Sequence, residues 1–140
     1  MTIRVVIAED EAIIRLDLRE TLEEEGYEVV GETGRGDKAV ELVREMRPDL
    51  AILDIKMPHM DGLEAARIIS GERICGVLML TAFSQREVVE DARDAGALAY
   101  LVKPYQKSDL IPAIEVASGR FRELQQLSGD RPWLIFRLVN

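Results

Sequence analysis

The chain has 140 residues, of which 47% are apolar and 31% are charged, and its net charge is −8 at pH 7. This length is typical of one domain, and this apolar content excludes disorder as the main state. With 26 acidic against 18 basic residues, the surface repels phosphate backbones and anionic lipid, which disfavours binding of nucleic acid or of a membrane by this chain. The single cysteine, Cys75, excludes a disulfide framework and a cysteine-built metal site.

Membrane insertion and secretion are disfavoured by the distribution of apolar residues. No apolar run approaches the ~20 residues of a membrane span. A pair of carboxylates follows the N-terminus too early for a signal peptide. We therefore expect a cytoplasmic protein.

Short apolar, β-branched runs alternate with longer amphipathic stretches along the chain. The runs predict strands, and stretches with apolar residues three and four apart predict helices. The predicted strands are 3–8, 28–32, 50–53, 77–80 and 99–102; the helices that follow them are 12–25, 37–46, 63–70, 84–96 and 108 to about 127. Ser84 and Glu87 predict a capping box at the start of the fourth helix, and Ser108 predicts the cap of the last one.

Five strand–helix units in about 127 residues predict an α/β fold. Strands that are continuously apolar indicate a sheet buried on both faces. Right-handed crossovers then give a doubly wound, five-stranded parallel sheet of order 2-1-3-4-5 with helices on both faces. We expect residues 1–127 to form this domain and residues 128–140 to form a C-terminal tail with no recognisable output domain.

Polar residues follow four of the five predicted strands. Glu9 and Asp10 follow the first strand, and Asp54 follows the third. Thr81 and Lys103 follow the fourth and the fifth. These side chains fall at one end of the sheet, where doubly wound folds bind ligands. Clustered carboxylates need a cation, and their oxygens suit Mg²⁺. The lysine and the threonine hydroxyl can bind an anion beside this cation. Carboxylates, a divalent cation and a lysine together are typical of phosphoryl transfer, with one carboxylate as the nucleophile.

These residues also carry a family resemblance over about residues 3–127. Glu9-Asp10, 54–58 (DIKMP) with Asp61-Gly62, Thr81-Ala82 and 100–104 (YLVKP) resemble the motifs of the receiver domain of two-component response regulators. Within that family, 8–11 (AEDE), 80–86 (LTAFSQR) and 94–97 (DAGA) are most similar to receivers of ANTAR-type antitermination regulators.

The resemblance implies a phospho-accepting signalling domain rather than an enzyme, with phosphotransfer and autodephosphorylation confined to its own aspartate. Asp54 resembles the acceptor that takes a phosphoryl group from the phosphohistidine of a sensor histidine kinase. Glu9 and Asp10 match the acidic pair that holds Mg²⁺ together with Asp54 and the backbone carbonyl of Lys56. The family often has Asp at the position of Glu9, and we expect the longer side chain still to reach the metal.

The remaining motif residues match phosphate-binding and switch positions of the family. Lys103 and Thr81 match the lysine and the hydroxyl that bind the phosphoryl oxygens, and Ala82 follows in the same loop. Tyr100 matches the aromatic side chain that swings inward when the hydroxyl does. The resemblance also implies a cis peptide before Pro104.

Two other site types are disfavoured. Residues 34–39 (GRGDKA) match a dinucleotide fingerprint, but they follow the second strand and would leave Glu9 and Lys103 without a role. A haloacid-dehalogenase-like phosphatase also uses an aspartate nucleophile. That family has a second Asp two residues after the nucleophile, where this chain has Lys56.

The output of such a receiver has two alternatives. ANTAR regulators carry a separate RNA-binding domain after the receiver, and the 13 residues after Leu127 are too few for that domain. We therefore expect either a receiver that acts through protein contacts or a truncated form of an RNA-binding antitermination regulator.

An apolar stripe along the last predicted helix suggests self-association. Its spacing is heptad-like and comprises Leu110, Ile114, Ala117, Phe121 and Leu124. We expect the first half to pack on the sheet. The last turns, with Phe121, Leu124 and Leu127, should project past the sheet edge and make a homodimer contact or a docking surface for a missing downstream segment.

Overall fold

The computed structural model describes residues 2–130, in which five strands alternate with five helices. The strands are β1 Arg4–Ala8, β2 Glu28–Thr33, β3 Leu50–Asp54, β4 Gly76–Thr81 and β5 Ala99–Val102. The helices are α1 Ala12–Glu24, α2 Gly36–Met46, α3 Gly62–Glu72, α4 Arg86–Asp94 and α5 Lys107–Asp130. Every predicted element is present, with bounds shifted by a few residues.

The strands form one parallel sheet of order β2-β1-β3-β4-β5, so the predicted fold class and strand order are confirmed. The chain reverses its direction across the sheet between β1 and β3, which are neighbours and pair Ala8 with Leu53. The carboxyl ends of β1 and β3 therefore lie side by side at the position where this type of fold binds ligands.

Each face of the sheet is covered by helices and has its own apolar core. Alternate residues of a strand point to opposite faces, so Val5 and Ile7 face one core while Val6 and Ala8 face the other. The first core contains residues of α1 and α5, and the second contains residues of α2, α3 and α4. Strands β1, β3 and β4 carry apolar runs because both of their faces are buried, whereas the edge strand β2 has polar residues and is half-buried.

Two helix starts differ from those predicted. Helix α4 begins at Arg86, and Ser84 stays in the preceding loop, where no side chain caps the helix. The chain stays outside the helix there because the Thr81 Oγ1 accepts a hydrogen bond from the Phe83 N–H and holds the loop in a turn. Helix α5 begins before Ser108, because the Asp109 carboxylate caps the N–H of Gln106 at 3.0 Å.

The end of α5 also differs from the prediction. The helix continues to Asp130, past the expected stop near Leu127. Phe121 is half-buried and lies beside Gly76 at the start of β4, so it packs on the sheet instead of projecting past it. Leu127 is 40% exposed, as expected. The predicted tail from residue 131 onward lies outside the described residues.

Candidate phospho-acceptor site

An open cleft of about 530 Å³ lies at the carboxyl ends of β1, β3, β4 and β5. The fold brings the predicted site residues to this one place because parallel strands all end at the same edge of the sheet. Those that line the cleft are Asp10, Asp54, Lys56, Thr81, Ala82 and Lys103. Phe83, which the sequence analysis did not single out, lines it as well.

Three carboxylates cluster at the cleft, two of which, Asp10 and Asp54, line it. Glu9, Asp10 and Asp54 each place an oxygen within 4.8 Å of the other two. Glu9 is 1% and Asp54 is 7% exposed, while Asp10 faces solvent. Carboxylates this close repel one another, and buried ones are poorly compensated by water. The cluster therefore needs positive charge.

Lys103 supplies part of that charge from the end of β5. Its Nζ donates to Asp54 Oδ2 at 2.7 Å and to Glu9 Oε2 at 3.0 Å. Burial alone would lower the pKa of this ammonium, but the hydrogen bonds to the two carboxylates outweigh burial and raise it. Lys103 is thus held in its charged form between the two buried acids. Its peptide bond to Pro104 is cis, as the resemblance implied.

Glu9 keeps one unused ligand atom. Its Oε1 is buried and has no hydrogen-bond partner among the described residues. Burial, followed by contact with Asp54, raises the pKa of Glu9 to about 7, although Lys103 opposes this shift. An orphaned carboxylate oxygen beside two further carboxylates is what a hard, oxygen-seeking cation would satisfy. The donor set therefore fits Mg²⁺.

Thr81 and Tyr100 both form hydrogen bonds with the backbone of Phe83. The Thr81 Oγ1 accepts from the N–H of Phe83 at 3.2 Å, and the Tyr100 hydroxyl donates to the carbonyl of Phe83. Thr81 is fully buried and Tyr100 is half-buried. The two predicted switch residues are therefore connected through the backbone of a residue that sequence reasoning missed. A signal for Phe83 existed, since it lies two residues after Thr81.

The loop after β3 is fixed by close backbone packing. The Gly62 N–H donates to the Ile55 carbonyl at 2.7 Å, and a Cβ at Gly62 would lie 2.0 Å from the Asp54 carbonyl oxygen. The Asp61 side chain caps α3 by accepting from the N–H of Glu64. Asp61-Gly62 thus closes the loop and packs against Asp54, which carries the third carboxylate.

The glycine-rich turn before α2 has a structural explanation. Gly36 opens the helix, and a Cβ there would lie 1.9 Å from the carbonyl oxygen of Met60. Only glycine allows this approach between α2 and the loop after β3. The turn therefore serves packing, which agrees with rejecting the dinucleotide-binding interpretation.

Comparison with known proteins identifies the family. The family model of the response regulator receiver domain matches residues 5–115. The chain belongs to the response regulator receiver domain family. It is 61% identical over 135 residues to the transcriptional regulatory protein PdtaR of Mycobacterium tuberculosis, an ANTAR-type regulator, which confirms the similarity to receivers of that class. The match covers 96% of this chain and 66% of PdtaR, so the receiver spans slightly less than two thirds of that relative.

Other relatives agree with this membership. The chemotaxis protein CheY of Thermotoga maritima is 36% identical over 116 residues, covering 82% of this chain and 97% of CheY. The receiver domain of the sensor histidine kinase PA1611 of Pseudomonas aeruginosa PAO1 superimposes with a TM-score of 0.75 at 26% identity, covering 85% of this chain and 99% of that one. That structure has a magnesium ion coordinated in its active-site cleft.

Within residues 2–130, each helix is too short or too polar to cross a bilayer.

Proposed function

We propose that this receiver accepts a phosphoryl group on Asp54 from the phosphohistidine of a sensor histidine kinase, in the cytoplasm. The carboxylate oxygen attacks phosphorus, the phosphorus–nitrogen bond breaks, and the histidine leaves with its electron pair. The later loss of the phosphoryl group to water is confined to the same aspartate, so no external substrate is turned over. The observation that carries the proposal is the buried contact of Asp54 with the Lys103 ammonium beside two further carboxylates.

Glu9, Asp10, Asp54 and the backbone carbonyl of Lys56 are the groups proposed to hold Mg²⁺. A bound Mg²⁺ supplies charge that offsets the repulsion between the carboxylates and an incoming phosphoryl dianion. The support is the cluster of carboxylate oxygens and the orphaned Oε1 of Glu9.

The proposed phosphoryl ligands are already close to Asp54. The Lys103 Nζ lies 2.7 Å from Asp54 Oδ2, so it can follow the new phosphoryl oxygens with little movement. The Thr81 hydroxyl and the backbone of Ala82 line the same cleft and can donate to a second oxygen. We propose that Thr81 turns toward the phosphoryl group and gives up the hydrogen bond from the Phe83 N–H, and that this exchange starts the switch.

The first helix offers a docking face for the kinase. Ile13 is 84% and Leu16 is 54% exposed on α1, and Ile14 between them lines the cleft. Exposed apolar side chains beside a reactive site are typical of a surface that a protein partner covers. We propose that the histidine domain of the kinase packs here and delivers its phosphohistidine to Asp54.

Phosphorylation can be tested directly with a small phosphodonor such as acetyl phosphate in the presence of Mg²⁺. We expect an acid-stable, base-labile label on the parent protein and on Asp91→Asn, a matched change of an exposed aspartate on α4. Asp54→Asn should abolish the label, and EDTA should block it. A label that persists on Asp54→Asn at the parent level would refute the assignment of the acceptor.

A second candidate function concerns output. The 61% identity to a protein named a transcriptional regulatory protein favours a role of this receiver within an RNA-binding antitermination regulator. The reading frame downstream of the Asn140 codon discriminates the two functions. A helical RNA-binding continuation supports the regulator, and a stop codon supports a receiver that acts through protein contacts.

A further inference from the structure

The loop between β1 and α1 carries two of the three carboxylates, and its backbone is held from two sides. The Glu9 N–H donates to the Thr33 carbonyl of β2 at 3.0 Å. On the other side, Arg15 Nη1 of α1 donates to the Glu9 carbonyl oxygen at 2.6 Å. This carbonyl belongs to the peptide that joins Glu9 to Asp10, so its orientation sets the direction of both side chains.

Arg15 is itself anchored. Its Nε lies 3.6 Å from Glu32 Oε1 near the end of β2, and the side chain of Arg15 is only 21% exposed. Gly34 makes room for it, because a Cβ at Gly34 would lie 3.0 Å from Arg15 Nη1 and 3.3 Å from the Asp10 Cα. The guanidinium is thus packed between the acidic loop, β2 and the turn after it.

We propose that Arg15 is a positioning residue of the cation site: it fixes the Glu9–Asp10 peptide so that both carboxylates converge with Asp54. This inference rests on the proposed function, specifically on the binding of Mg²⁺ by the acidic cluster. Groups that orient metal ligands from behind commonly contribute tenfold or more to metal affinity. Arg15 acts on the backbone of the ligand residues, without touching the ion.

Arg19 provides a matched control on the same helix. It lies one turn after Arg15 and its Nη1 pairs with the same Glu32, at Oε2 and 2.7 Å. Among the residues that the structure describes, Arg19 contacts Glu32 and Glu23 and makes no hydrogen bond to the Glu9 carbonyl. A purely structural role of the Arg15–Glu32 pair would therefore be shared by Arg19, whereas positioning of the acidic loop would not.

The test is isothermal titration of the full chain with MgCl₂ at pH 8, together with urea unfolding of each variant in EDTA. We expect Arg15→Ala to raise the Mg²⁺ dissociation constant about tenfold, and Arg19→Ala to leave it within about twofold. Arg15→Lys should recover part of the affinity, since an ammonium can make one of the two contacts. Gly34→Ala should also weaken binding while keeping the charge of Arg15, because the new methyl group crowds both the Arg15 guanidinium and the backbone of Asp10.

The outcomes separate this inference from the proposed function. If the parent binds Mg²⁺ and Arg15→Ala binds it equally well, the positioning role is refuted and the proposed function stands. If Arg15→Ala and Arg19→Ala weaken binding equally, in step with their loss of unfolding free energy, the role is structural and the inference is also wrong. If the parent shows no Mg²⁺ binding, both the proposed function and the inference fail.

Discussion

Glu9 couples the cation site to pH. Its pKa is raised to about 7 in the folded protein, against an ordinary value of 4.5, so the folded state binds this proton more tightly than the unfolded chain. The free energy of unfolding therefore falls as pH rises from about 4.5 to about 7, and the full loss is present above that range. A cation reverses the loss, since it prefers the ionised carboxylate.

In EDTA, we expect Glu9→Gln to be more stable than the parent by about 1 to 3 kcal/mol at pH 8, and by much less at pH 5. Urea unfolding at both pH values measures the difference. Glu11→Gln, a change of an exposed neighbour in the same loop, should follow the parent at both. If the stability of Glu9→Gln relative to the parent is the same at pH 5 and pH 8, burial does not raise the pKa of Glu9.

The sequence predicted which side chains share the site, but it did not predict all of the hydrogen bonds between them. Asp54 and Lys103 were placed in one site because the ends of parallel strands converge, and the structure brings them to 2.7 Å. The contact of Lys103 with Glu9 and the orphaned Oε1 could not be predicted. They depend on side-chain rotamers in a shared cavity, which the spacing of residues along a chain does not encode.

Helix α5 leaves apolar side chains open to a partner beyond the part that packs on the sheet. Leu110, Ile114 and Ala117 are buried against the sheet, as the stripe predicted. Leu127 is exposed near the far end, and Leu124 is half-buried one turn before it. We propose that these last turns pair with a second copy of the chain, because burying Leu127 and the rest of Leu124 would stabilise the association.

Sedimentation velocity at several protein concentrations tests this dimer. The parent should shift toward twice its 15.8 kDa mass as concentration rises, and Leu127→Glu should weaken the association at least tenfold. Ile13→Glu, the same kind of change at an exposed position on α1, should associate like the parent. A parent that stays monomeric at high concentration, phosphorylated or not, removes the dimer from consideration.

The elements themselves were predictable, but their ends less so. Gly26 and Gly96 follow the ends of α1 and α4 and lie in left-handed backbone at φ 90° and 97°, a conformation that favours glycine. The capping box at Ser84 was wrong. The hydroxyl of Thr81, which the motif assigned to phosphate binding, holds the following loop in a turn and delays α4 until Arg86. A capping pattern does not show that the Thr81 hydroxyl binds the loop before α4, so it cannot predict where this helix begins.

Across the whole molecule, the proposed signal passes from β4 to β5 through the backbone of Phe83. Phosphorylation adds nearly two negative charges and three strong hydrogen-bond acceptors at Asp54. If Thr81 turns toward them, the N–H of Phe83 loses its partner and the loop is free to move. Tyr100, bound to the other end of the same residue, must then change its contacts.

We expect Thr81→Ala to accept the phosphoryl group on Asp54 but to lose most of the change at Tyr100. The measurement is NMR of ring-labelled tyrosine before and after addition of acetyl phosphate and Mg²⁺. Thr81→Ser keeps the hydroxyl and should retain the change. If the alanine variant shows the full shift of the Tyr100 signals, the coupling through Thr81 does not exist.

The position of Asp54 in the sheet determines how readily the strand that carries it opens. All five residues of β3 are buried, and the strand is paired on both sides, whereas β5 is a half-buried edge strand. We expect the backbone amides of β3 to exchange hydrogen only on global unfolding and those of the edge strand β5 to exchange through local opening. Phosphorylation therefore takes place on a strand that we expect to exchange slowly, and the edge strand β5 can open locally while the strand that carries Asp54 stays folded.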